Sequence, residues 1–276
     1  MGTAVATKAI RVPPEIVDQI IDYFHNDPKT LKACSLVARE WIPSARLHLF
    51  AKLSFSSARD EIRFKELVSS SPNLLHHCQE LTAGVTDNFG LSSGSTPHFT
   101  RCLPMLRKHV DRFSSLRTLR VRGSPSRPKN FFKFLVEISN KITTITFTGG
   151  NLRSRHDLWT VLRLFPNLRN VHVSDLGYSD KEGLAIPLGH CHSPPISSFS
   201  LNTYCLGFVL EQLSDPPYPL AQLQSLEIHH TDQRQRHLNS VAAKYRCTIT
   251  ALKFGAHSKL GSGMWSFPPP AMILQC

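Results

Sequence analysis

No stretch of this chain stays apolar for the roughly 20 residues that a membrane-spanning helix needs; charges and prolines interrupt every hydrophobic run. The opening MGTAVATKAIRVPPE lacks the apolar centre of a secretory leader, and Ala6 stands where a myristoylation signal wants Ser or Thr. Neither export nor a lipid anchor is therefore expected. No Asn-x-Ser/Thr acceptor occurs. The seven cysteines (34, 78, 102, 191, 205, 247 and 276) are scattered and odd in number, which excludes a disulfide framework and fits a reducing compartment, cytoplasmic or nuclear. A Gly-rich phosphate loop, H-E-x-x-H and paired C-x-x-C are all missing, so no cofactor and no metal are expected.

Acidic residues are scarce in one place only. Residues 1–100 hold ten Lys/Arg against ten Asp/Glu, and residues 156–276 hold nine against eight. Residues 101–155 carry thirteen basic residues against Asp111 and Glu137 alone, which accounts for +11 of the chain's net charge of +12. Such a block reads as a solvated surface, as a site for an acidic or phosphorylated protein, or as a nucleic-acid site. The last is disfavoured, because no aromatic residues interleave the cations on an exposed side.

Two motifs imitate chemistry. Gly90-Leu-Ser92-Ser-Gly94 spells a nucleophile elbow, but that device needs a strand running into it and a helix leaving it. Here Ser-Thr-Pro follows, so a loop is expected and no catalytic residue is assigned. His190-Cys191-His192 has no second ligand cluster at a zinc-site distance, and the pairs His76-His77 and His229-His230 are ordinary surface and strand-edge residues.

A pattern Φ-x-x-Φ-x-Φ, with Φ apolar, organises most of the rest. Its central residues are Leu53, Leu81, Leu119, Ile145, Val171, Phe199, Leu226 and Leu252, separated by 28, 38, 26, 26, 28, 27 and 26 positions. At 41% hydrophobic content three such matches fall in about 7% of frames by chance, so the spacing and not the single copy carries the inference. Between the strands a helical stripe recurs: Phe99, Cys102, Leu103, Leu106; Phe131, Phe134, Leu135, Ile138; Leu158, Val161, Leu162, Phe165; and again at 206–213 and 238–245. This period with this strand signature resembles leucine-rich repeats, which implies a solenoid with parallel concave strands and convex helices. The repeats span 51–254, about eight in number, with an insertion at 84–97; residues 174–195 show no clear stripe, and 255–276 read as an irregular tail.

Residues 12–50 are different. Pro13 and Pro14 suit a first helical turn, followed by Ile16, Val17, Ile20, Ile21 and Phe24 on one face. Asp27-Pro28 opens a second helix expected to carry Leu31, Cys34, Val37 and Trp41, and Pro43 opens a third that ends in Leu47, Leu49 and Phe50. About forty residues cannot bury that much apolar surface internally, so part of it should face a partner. Pro-Pro-Glu-Ile, Leu-x-x-Cys-x-x-Val ending at Trp41, and Ala45-Arg46 before Leu49-Phe50 resemble an F-box, with Val12 where that pattern usually has Leu. The bland alternative is a helical N-terminal cap on the next domain.

The whole resembles F-box proteins with leucine-rich repeats, an α/β chain with a three-helix F-box followed by the solenoid. The resemblance implies a receptor subunit of a cullin-based ubiquitin ligase. Pro13, Pro14, Ile16, Ile20, Leu31, Cys34, Val37 and Trp41 would then stand at positions that bind a Skp-type adaptor, and through it a cullin, or pack the helices. Lacking the Cys/His pairs of a RING-type zinc module, such a chain would borrow its catalytic parts and be no enzyme itself. Strand alternation sends the polar partners of the apolar positions to the other face, where Arg120, Arg122, Thr146, Asn170, His172, Asn202, Glu227 and His229 are candidates for holding a target protein. Arg120 and Arg122, side by side, would suit phosphate or carboxylate. The competing class is a leucine-rich-repeat scaffold for protein or nucleic acid without a ubiquitin role.

Overall fold

The computed structural model describes residues 12–55, 57–84, 98–123, 129–149, 151–152, 157–175, 177–178, 193–202, 220–229 and 248–254. Three short helices come first: α1 (Pro14–Tyr23), α2 (Pro28–Val37) and α3 (Ile42–Phe50). Proline lies in the first turn of each, where its missing N–H deprives the helix of nothing. Asp27 caps α2: its carboxylate accepts from the N–H groups of Lys29 at 3.0 Å and Thr30 at 3.3 Å, and from the Thr30 hydroxyl at 2.6 Å. These bonds hold the Asp27 carboxyl below its usual pKa, the Thr30 hydroxyl contributing most. Helix α2 stops at Val37, because Ala38 turns to extended backbone. Trp41 therefore does not ride on α2 as its spacing suggested. It ends a separate 3-10 turn, Arg39–Trp41, that feeds α3. The module has its own core of Val17, Ile21, Leu31, Cys34 and Ala45, with Phe24, Trp41 and Leu49 packed against it.

After the module, strands and helices alternate. They run β1 (Lys52–Ser54), α4 (Ala58–Ser70), β2 (Glu80–Gly84), α5 (His98–Lys108), β3 (Thr118–Arg122), α6 (Lys129–Ile138), β4 (Thr144–Thr148), β5 (Asn151–Leu152), α7 (Asp157–Leu162), β6 (Asn170–Ser174), β7 (Gly177–Tyr178), β8 (Ser198–Asn202), β9 (Ser225–Ile228) and β10 (Ala251–Phe254). Eight strands form one parallel sheet in the order β1-β2-β3-β4-β6-β8-β9-β10, and β5 pairs with β7 in a separate two-stranded ladder. The register places Leu53, Leu81, Leu119, Ile145, Val171, Phe199, Leu226 and Leu252 opposite one another, strand by strand. A 26–28-residue repeat in sequence has become a column in space. The architecture is mixed α/β and solenoid-like, its strands adjacent in chain order.

Backbone bonds repeat in the same phase. One carbonyl before each strand accepts two successive N–H groups of the next repeat: Ala51 from Gln79 and Glu80, Gln79 from Arg117 and Thr118, Arg117 from Thr143 and Thr144, and so on to Gln224, which accepts from Thr250 and Ala251. At the other strand end the chain turns through the left-handed region in three consecutive repeats, at Gly123 (φ 93°), Gly149 (φ 68°) and Asp175 (φ 51°). Each of these donates its N–H to the last residue of the next strand: Thr148, Ser174 and Asn202. Glycine enters that region without steric cost, and aspartate is among the few side chains that tolerate it.

The helices cover one face. Cys102, Leu103 and Leu106 of α5, Phe131, Phe134, Leu135 and Ile138 of α6, and Leu158, Val161 and Leu162 of α7 with Phe165 share a single core with the strand column. That core closes three of the five expected helical stripes. The stripes at 206–213 and 238–245, the segment 85–97 with Ser92, the His190-Cys191-His192 motif and the tail 255–276 lie outside the described residues. Among the described residues no helix is long and apolar enough to cross a membrane.

Candidate functional site

Helix α1 carries two apolar stripes, and only one is used internally. Val17 and Ile21 face the module core, while Ile16 (44% exposed), Ile20 and Tyr23 (82% exposed) point outward at i, i+4 and i+7 spacing. Leu36 and Val37 at the end of α2 and Leu47 on α3 are exposed as well. Of the nine large hydrophobic side chains exposed among the described residues, seven lie between residues 12 and 47; the others are Ile62 and Val136. A folded surface scatters such residues singly, and here they concentrate on one small module.

The residues singled out for an adaptor divide accordingly. Pro13, Pro14, Ile16, Ile20 and Val37 are exposed. Leu31 and Cys34 are buried in the module core, and Trp41 is half-buried against it, so their part is to hold the helices together. Tyr23, Leu36 and Leu47 belong to the exposed set although the pattern did not single them out. An i+7 reading of α1 from Ile16 would have found Tyr23. Polar bonds tie α1 to α3: the Ser44 hydroxyl bonds Asp18, and His48 Nε2 lies 2.7 Å from the Asp22 carboxylate.

The open face of the sheet is a grid. One row runs Ser54, Thr82, Arg120, Thr146, His172, Ser200 and Glu227 across the strands; the next begins at Lys52 and Glu80 and includes Thr118, Thr144, Asn170, Ser198 and Ser225. The third holds Arg122, Thr148, Ser174 and Asn202, with His229 directly after β9. The candidates Arg120, Thr146, His172 and Glu227 thus share one row, with strands about 4.8 Å apart. Asn170 is tied sideways to the Thr144 hydroxyl at 3.2 Å. Burial among its neighbours pushes the His172 imidazole below its usual pKa, with Glu227 pulling it up and Arg120 pushing it down, so it is neutral at pH 7. From β4 to β8 the grid offers hydroxyls, amides and one neutral imidazole.

Charge sits at the two ends. Arg120 Nε is 2.6 Å from Glu80 Oε1, and His229 Nε2 is 3.3 Å from Glu227 Oε1. Arg120 is therefore already held by a carboxylate on the neighbouring strand. Arg122 has no carboxylate partner among the described residues. The described cations of the block 101–155 are spread over α5, β3, α6 and the turns between them. Arg107 forks onto Glu137, its Nε donating to the two carboxylate oxygens at 2.8 and 3.0 Å and its Nη2 to Oε1, which links α5 to α6. Arg112 bonds Asn73, Arg117 bonds the carbonyls of Ser114 and Leu116, and Lys141 bonds that of Val110. The fold divides these cations between helices and strands, which linear counting does not show.

Among the described residues no group of three or more His, Cys, Asp or Glu is placed to hold a metal. Comparison with models of known protein families finds no match, and comparison with curated proteins finds none either.

Proposed function

We propose that the chain is a receptor subunit of the F-box and leucine-rich-repeat type, with a helical module that docks on a Skp-type adaptor and a repeat sheet that holds a target protein. The observation that carries the reading is the concentration of exposed apolar side chains on α1, α2 and α3, a module that packs a core of its own and still leaves Ile16, Ile20, Tyr23, Leu36 and Val37 uncovered. Buried hydrophobic anchors dominate such interfaces. The open face of the sheet supports the second half. Its uncharged centre suits hydrogen bonding to a polypeptide, and Arg122 remains at one end for an acidic or phosphorylated residue. The receptor supplies no catalytic side chain; it raises the effective concentration of the target's lysines near a ubiquitin-charged partner. A cytoplasmic or nuclear setting goes with this reading and with the scattered cysteines.

The test is capture of the chain by a purified Skp-type adaptor. Ile16→Asp with Ile20→Asp abolishes capture while the circular dichroism melt of the repeat domain stays in place. Full capture by the folded double variant refutes the adaptor reading and leaves a repeat scaffold.

A further inference from the structure

On the helix-covered side, α4 and α5 leave an open groove of about 580 Å3. That lies within the roughly 300–1,000 Å3 typical of ligand-holding clefts. Its floor is aliphatic: Val68 and Pro72 from the end of α4 and the turn after it, Pro104 and Met105 from α5. Its rim is basic, with Lys65 on one wall and Arg101 and Lys108 on the other. Two of these cations meet Glu61, whose almost buried side chain sits 2.6 Å from Lys65 Nζ and 3.8 Å from Arg101. Glu61 thus contacts two of the three cations, Lys108 has no carboxylate partner among the described residues, and no Asp or Glu is among the described residues that line the groove. His109, at the end of the groove, is kept neutral by burial and by the cations Arg112 and Lys108.

We infer that this groove docks an acidic segment of a partner protein, an extended chain whose carboxylates meet Lys65, Arg101 and Lys108 while one apolar side chain settles against Val68, Pro72, Pro104 and Met105. The charge complementarity selects an anionic occupant, and the floor selects among anions. A nucleic acid would want stacking platforms, and among the described residues no Phe, Tyr or Trp lines the groove. An aliphatic and proline floor under a cationic rim matches an acidic peptide with a hydrophobic anchor. The inference does not depend on the adaptor reading.

Fluorescence anisotropy on the full chain tests it, using a labelled peptide of alternating Glu and Asp around one central Leu. Saturable binding is expected at about 150 mM salt. Replacing the central Leu by Gly weakens binding about fivefold or more, and so does Lys108→Glu or Arg101→Glu in the protein, since each reversal removes an attraction and adds a repulsion. Met105→Glu, on the floor, gives a further variant if Arg101→Glu disturbs its contact with Glu61. Lack of saturation, indifference to every variant, or indifference to the Leu overturns the proposal. So does an unlabelled single-stranded oligonucleotide that displaces the peptide and whose own binding falls with the same variants, because the groove then reads charge alone. Capture by the adaptor is unchanged in Lys108→Glu, so failure of either proposal is visible without the other.

Discussion

Leu31 and Leu36 lie five residues apart on the same helix and have opposite surroundings: Leu31 is 1% exposed in the module core, and Leu36 is 87% exposed. Leu→Ala removes the same three carbons at both. At about 0.8 kcal/mol per buried CH2, the transfer part at Leu31 is about 2.4 kcal/mol, and the cavity left behind raises the cost to about 3 kcal/mol or more. At Leu36 only about an eighth of the side chain is covered, which scales the same figure to about 0.3 kcal/mol. A module of this size has only a few kcal/mol in hand, so the first loss is felt as local opening. Hydrogen exchange read by mass spectrometry on peptides from α1, α2 and α3 is the assay. Leu31→Ala speeds exchange there by about two orders of magnitude and spares peptides from β3, β4 and β6, while Leu36→Ala leaves all of them near wild type. Adaptor capture then separates the pair in the opposite sense: Leu36→Ala weakens it in a fully folded module. Equal acceleration by the two variants would mean that α2 does not present these faces, and the docking surface argued from its exposed end would fall with it.

Two further outcomes concern titration. The His172 imidazole titrates below 6.5, as followed by the ring-proton shift in NMR. Because its folded pKa lies under the unfolded value, its contribution to stability is whole above pH 6.5 and is lost as the pH falls through the folded value; His172→Asn flattens that part of the stability–pH curve. Burial pushes the Cys78 thiol up to about 12 and the Cys102 thiol up to about 11, so neither is alkylated by iodoacetamide at pH 8 in the native chain, and both react once urea unfolds it. Rapid native alkylation of Cys78 would show that the strand column is open beside Leu81.

Local chemistry reached far into this fold. The period of Leu53, Leu81, Leu119, Ile145, Val171, Phe199, Leu226 and Leu252 reproduces the sheet strand by strand, because alternation within a strand and a repeat of 26–28 residues, broken once by a 38-residue step, leave one in-register parallel stack. Asp27 and the three first-turn prolines likewise announce the helix starts, since capping is satisfied within a few residues. Other features depend on which surfaces meet. Trp41 keeps helical spacing from Leu31 and Val37, yet the chain leaves the helix at Ala38, where packing of α3 against α2 overrides a weak local preference. The ladder of β5 with β7 rests on two residues from each of two repeats, too few to carry a pattern. Whether Ile16 or Val17 faces outward is undecided by a helix that is apolar on both, and is settled by where α3 sits. The described cations that crowd 101–155 in sequence are divided between helices and strands, with Arg120 paired to Glu80 forty residues back. Side-chain period is a property of the chain and can be read from it; the partner across the next strand or helix is a property of the stack, and only the folded protein assigns it.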